Sequence, residues 1–97
     1  MQNEYLEILK KSILNSLSGE DVAIALFGSF AKGTDNYTSD IDIAVIPKSG
    51  INRWKLSELR EELAELTIPY KIDLVDFSIV SNQFKLLALS GAVWWKR

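Results

Sequence analysis

The chain has 97 residues, one domain near the small end of what folds alone. Its 11 basic side chains against 13 acidic ones give no extended electrostatic footprint for DNA or RNA. Cysteine and histidine are both absent, which excludes disulfides, thiolate or Ser-His catalysis and the usual zinc ligands. Carboxylates, hydroxyls, lysines and backbone dipoles must carry any chemistry.

Leu6, Leu9, Ile13 and Leu17 recur at helical spacing. They predict a first helix over about residues 4–17, ended by Ser18-Gly19 with glycine as a left-handed terminator. Val22 to Phe27 is an unbroken apolar run, short enough for a strand buried on both faces. Gly28-Ser29 follows directly, and residues 29–33 predict a brief helix left through Gly33. A second strand covers 41–46, closed by Pro47 and Ser49-Gly50.

Leu56, Leu59, Leu63 and Leu66 form the inner stripe of a helix over about 53–66. Asn52 is its N-cap, Pro69 its stop, and Trp54 is expected to cover the core. Residues 70–76 read as a third strand and 82–90 as a last helix, capped by Ser81 and ended by Gly91. Residues 92–95 read as a short edge strand on which Trp94 and Trp95 face opposite ways. No repeat, linker or low-complexity tract breaks the chain, so residues 1–97 read as a single domain. Acidic residues come early and no long apolar run occurs, so neither a signal peptide nor a membrane span is expected. The expected location is cytoplasmic.

Strand alternation turns the acidic spacing into chemistry. Asp40, Asp42 and Ala44 share one side of the second strand, while Ile41, Ile43 and Val45 share the other. In the third strand Asp73 falls with Lys71 and Val75, opposite Ile72 and Leu74. If the two strands are neighbours, Asp73 joins Asp40 and Asp42 on one open face. Three such carboxylates repel one another unless a cation relieves them. Mg²⁺ suits them, taking one or two carboxylates plus water and substrate phosphates, and two such ions can clamp an in-line phosphoryl displacement. Asp76 falls on the opposite face and reads as structural.

A buried strand that runs into Gly-Ser and then a helix start presents free N–H groups, an arrangement that binds phosphate. Gly28 allows close approach and Ser29 adds a hydroxyl. Lys32 either reaches the outer phosphates as a point charge or stays in solvent. The Walker pattern and the dinucleotide fingerprint are both absent.

Gly28-Ser29, three residues, Gly33, five residues, then Ser39-Asp40-Ile41-Asp42: this spacing resembles the nucleotidyltransferases of the DNA polymerase β superfamily, more narrowly the minimal nucleotidyltransferases. Lys71 to Asp76 resembles the later strand that brings the family's third carboxylate, here Asp73. The resemblance implies an α+β fold, a small mixed sheet with helices packed on one face and a polymerase-β-like palm. It implies transfer of a nucleoside monophosphate, AMP from ATP, to a hydroxyl acceptor. Asp40, Asp42 and Asp73 would be the catalytic, metal-binding set for two Mg²⁺ ions. Gly28, Ser29, Lys32 and Ser39 would bind the nucleotide. Many members carry arginine where this chain has Phe30 and Lys32, which alters the phosphate contacts implied.

The resemblance also implies a partner. Larger relatives have a second, helical domain that helps enclose nucleotide and acceptor, whereas minimal members work with small helical proteins of the HEPN type in antitoxin-like pairs. Two other readings stand beside this one. The first is a binding module that occludes its partner without catalysis, motivated by Phe30. The second is transfer to a small molecule such as an antibiotic. Trp94-Trp95 either anchors an interface or packs the edge strand, and a homodimer would cover the open face.

Overall fold

A computed structural model describes residues 3–36 and 38–97. The first apolar stripe forms helix α1 (Glu4–Ser16), and the Asn3 side chain caps it by accepting from Tyr5 N–H at 2.9 Å. The helix stops short of Gly19, which has no positive φ. Leu17 is fully buried, and Ser18 N–H folds back onto Asn15 C=O at 3.3 Å. Burial of Leu17, and not a left-handed glycine, ends α1.

Strand β1 (Val22–Phe27) is buried along its whole length. It leads through Gly28 into the single turn α2 (Ser29–Lys32), which leaves through Gly33 in the left-handed region at φ 73°. Strand β2 (Ile41–Pro47), helix α3 (Arg53–Ala64), strand β3 (Ile72–Asp76), helix α4 (Asn82–Leu89) and strand β4 (Val93–Lys96) follow. The caps Asn52 and Ser81 accept from Trp54 N–H at 3.0 Å and Phe84 N–H at 3.1 Å. Helix α3 ends five residues before Pro69, in a tightened turn that pairs Leu66 N–H with Leu63 C=O at 3.2 Å. Gly91, at φ 78°, lies in the turn after α4 as expected.

The four strands form one mixed sheet in the order β3-β2-β1-β4. Strand β1 runs antiparallel to β2 and β4, whereas β2 and β3 are parallel. Alternation gives the sheet two different faces. Ile24, Leu26, Ile41, Ile43, Val45 and Leu74 meet Leu9 and Ile13 of α1 and Leu56, Leu59 and Leu63 of α3 in the main core. Trp54 stands two positions off that α3 stripe and is 70% exposed, so it does not cover the core as the sequence predicts.

The opposite face holds Ala25, Phe27, Ala44 and Phe77 in a second cluster, against which Ala88, Leu89 and Trp94 pack. Ala25 and Ala44 are fully buried, so their small side chains seat Phe77 and α4 and do not leave room for a ligand. Phe27, Phe77 and Phe84 pack edge to face at 5.4–6.3 Å between centroids. Helix α4 therefore roofs the Ala44 end of this face, and the Asp40–Asp42 end stays partly open. Trp94 joins the second cluster and Trp95 the main core, and both are half-buried. Among the described residues no helix is long and apolar enough to cross a membrane.

Candidate active site

The chain leaves β1 at Gly28 with φ 76° and ψ −155°, a region open to glycine and strained for any other residue. A Cβ at Gly28 would lie 2.2 Å from Asp42 Oδ2. The carboxylate of Asp42 thus fills the space that glycine leaves, and the phosphate-type turn and the acidic strand are built around one contact. The first N–H groups of a helix lack partners within it. No backbone carbonyl among the described residues accepts from Ser29, Phe30 or Ala31 N–H. Those donors stand at the turn beside Asp42.

The parallel register places Asp42 directly beside Asp73, and the antiparallel register places Phe27 on its other side. Asp42 is half-buried and Asp73 exposed. Burial raises the Asp42 carboxyl above its ordinary range, and the charges of Asp73 and then Asp40 raise it further. Asp40 lies one residue before β2 and is half-buried. The structure therefore couples all three predicted carboxylates electrically through Asp42.

Among the described residues no three acidic side chains converge into a ready-made ion cage. The donors are nonetheless all carboxylate oxygens in mutual repulsion, which a hard divalent cation relieves while water and phosphate complete its shell. Such an ion fits this set as a shared ligand of protein and substrate.

Ser39 Oγ accepts from Asn36 N–H at 3.0 Å and Ser39 N–H donates to Asn36 C=O at 3.0 Å, closing the loop that delivers Asp40. Lys32 is exposed at the far end of α2, and its stem reaches to within 4.0 Å of where a Gly91 Cβ would stand. Phe30 is buried in the main core with its ring 5.0 Å from Tyr70. This packing accounts for an apolar residue at the position. Asp76 is 6% exposed and accepts from Ser78 N–H and Oγ–H at 2.9 and 2.7 Å; it holds the turn after β3 and stays out of the site. Phe27 is the residue that sequence reasoning missed. Its parity with Asp42 was the available signal, but a run of six apolar residues gives no sign of which side faces the carboxylates.

Comparison with known proteins bears on the family and the fold. The polymerase β, nucleotidyltransferase family model matches residues 10–93. The "Probable protein adenylyltransferase MntA" of Haemophilus influenzae is 32% identical over 85 residues, covering 88% of this chain and 73% of that protein. The protein adenylyltransferase MntA of Shewanella oneidensis is 40% identical over 59 residues, covering 61% of this chain and 42% of that protein. A chain of a toxin–antitoxin crystal structure with AMP-PNP superposes with a TM-score of 0.68 at 28% identity, covering 89% of this chain and 71% of that one. The fold also matches a structure of tri-AMPylated Shewanella oneidensis HEPN toxin with MNT antitoxin, at a TM-score of 0.63 and 24% identity over 92% of this chain and 70% of that one. Nucleotidyltransferases of this kind generally use a divalent metal. The family model spans most of the chain, and this chain belongs to the polymerase β nucleotidyltransferase family as one of its minimal members.

Proposed function

We propose that the chain transfers AMP from Mg-ATP to a hydroxyl of a small helical HEPN-type protein, as the antitoxin-like half of a pair. The observation that carries this reading is the Asp42 carboxylate in the Cβ space of Gly28 and in register with Asp73. Phosphate donors and acidic ligands thereby meet at one point. The protein adenylyltransferase names of the relatives and the toxin–antitoxin complexes among the matched structures support the acceptor class.

In this reading Asp40, Asp42 and Asp73 hold two Mg²⁺ ions, which neutralise charge on the transferring phosphoryl group when bound. The Gly28–Ser29 turn and the free amides of α2 orient the triphosphate, with Lys32 and Ser39 at its margins. Asp73, the most exposed of the three, takes the proton of the acceptor hydroxyl. The acceptor oxygen forms its bond to the α-phosphorus as the bond to pyrophosphate breaks. Phe27 and the α4 roof keep water from the inner side of Asp42. Phe30, buried in the main core, lends no support to a module that has lost catalysis.

The test uses ATP labelled at the α- or the γ-phosphate. Label is expected on the acceptor protein from the α-position alone, and label from the γ-position would exclude the reading. Asp73→Asn is expected to lower the turnover number by on the order of 10²-fold while Mg-ATP still binds. Isothermal titration alongside the turnover assay checks this, and full loss of nucleotide binding would remove Asp73 from the role of proton acceptor.

A further inference from the structure

The outer edge of β3 is open at Ile72 and capped by Arg60 at Leu74. Lys71 C=O accepts from Ile41 N–H and Phe77 N–H donates to Val45 C=O, each at 2.8 Å. The odd positions of β3 therefore turn their backbone groups to β2, and Ile72 and Leu74 turn theirs outward. Arg60 Nη2 donates to Leu74 C=O at 3.0 Å from the outer side, as this parity requires. Ile72 N–H and C=O find no partner among the described residues. Natural edges are commonly blunted by proline, an inward charge or a bulge; Ile72–Asp76 contains no proline and pairs with β2 in unbroken register, and its buried charge, Asp76, sits at the far end, held by Ser78.

A groove of about 390 Å³ runs along this edge, between β3 and the C-terminal half of α3. Ala64, Ile68 and Tyr70 supply apolar walls, Arg60 and Lys71 supply positive charge, and Asp73 joins its lining. Asp73 is the residue that the groove and the carboxylate set share. In-line displacement fixes which substrate comes from this side. Pyrophosphate leaves over the Gly28–Ser29 turn, beside β1, so the attacking hydroxyl must enter from the opposite side. With the strand order β3-β2-β1, that side is the β3 edge.

The geometry points to this groove as the seat of an extended, hydroxyl-bearing segment of the acceptor protein, added as a further strand along β3 with its hydroxyl turned to Asp73. Main-chain bonds to Ile72 give the segment affinity, and Arg60 and Lys71 favour acidic flanks. The hydroxyl then belongs to a loop or tail of the acceptor and not to the middle of a helix. This inference rests on the transferase reading for its direction of attack.

The test measures amide hydrogen exchange by NMR on the full chain with Mg²⁺ and AMP-PNP, using a random copolymer of glutamate and tyrosine as the probe. The Ile72 amide is expected to slow by roughly tenfold or more when the copolymer is added. Ala64→Trp, which fills the groove from an exposed position, should abolish that slowing, and Lys71→Glu should weaken it. Unchanged exchange at Ile72, or slowing that survives in Ala64→Trp, overturns the groove. Parallel tubes with ATP read AMP on tyrosine by mass. Slowing at Ile72 without AMP on tyrosine keeps the groove and removes the transferase reading. AMP on tyrosine with Ile72 unslowed removes the groove and keeps the transferase.

Discussion

Asp42→Asn is expected to stop AMP transfer and, in metal-free buffer, to raise the thermal midpoint of the same protein. The loss of transfer should be on the order of 10³-fold, since a charged ligand at the centre of the site disappears. The gain in stability follows from the direction of the Asp42 shift. Burial first, then Asp73 and Asp40, raise its pKa above the ordinary 3.8. The native state therefore holds this proton more tightly than the unfolded state, and ionisation costs native stability. That cost is fully present above the raised value and is relieved as pH falls through it towards 3.8. Midpoints of wild type and variant should differ most near neutral pH and converge in acid. The rise is modest because Asp42 is partly solvated. Added Mg²⁺ should reverse the order, since only the wild type gains binding energy from the ion. A variant that melts below the wild type in chelator would contradict the electrostatic account.

Gly28→Ala should damage both fold and chemistry. The backbone region at Gly28 costs about 1–3 kcal/mol for a residue with a side chain, and roughly 4–8 °C of midpoint accompanies each kcal/mol in a domain of this size. The added methyl also enters the space of Asp42 Oδ2, 2.2 Å away, and must push that carboxylate out of register with Asp73. Transfer should fall to background even at temperatures where the variant is folded. Asp42→Ala removes the clash but not the backbone strain, so the double variant should be less destabilised than the sum of the two singles. Gly33→Ala is the control. Its φ of 73° also disfavours a side chain, yet nothing lies within 4 Å of its Cβ position, so transfer should survive a loss of about 1 kcal/mol. Circular dichroism melts beside transfer assays check the set, and strict additivity for the double variant would refute the shared contact.

The carboxylate set was legible because strands have a period of two. Asp40, Asp42 and Asp73 fall on one face once β2 and β3 are neighbours, and Asp76, one parity off, is buried in its own turn. The Gly-Ser turn was legible because a fully apolar run ends on a residue that must admit a positive φ. The roof of the site was not legible. Phe77 lies in a turn and Phe84 in the first turn of α4, where no periodicity assigns a side, and only the small Ala25 and Ala44 explain why α4 lands there. Trp54 misled because a large apolar residue near a helix start was weighed by type and not by its angle to the Leu56–Leu59–Leu63 stripe. Gly19 misled in the same way, since Leu17 had already drawn the chain out of α1.

The most direct measurement is the intact mass of the acceptor protein after incubation with Mg-ATP and either the wild-type chain or Asp42→Asn. The account predicts that the acceptor gains the mass of AMP with the wild type and none with the variant, although both chains bind it. An acceptor bound by both and left at its original mass by both would contradict it.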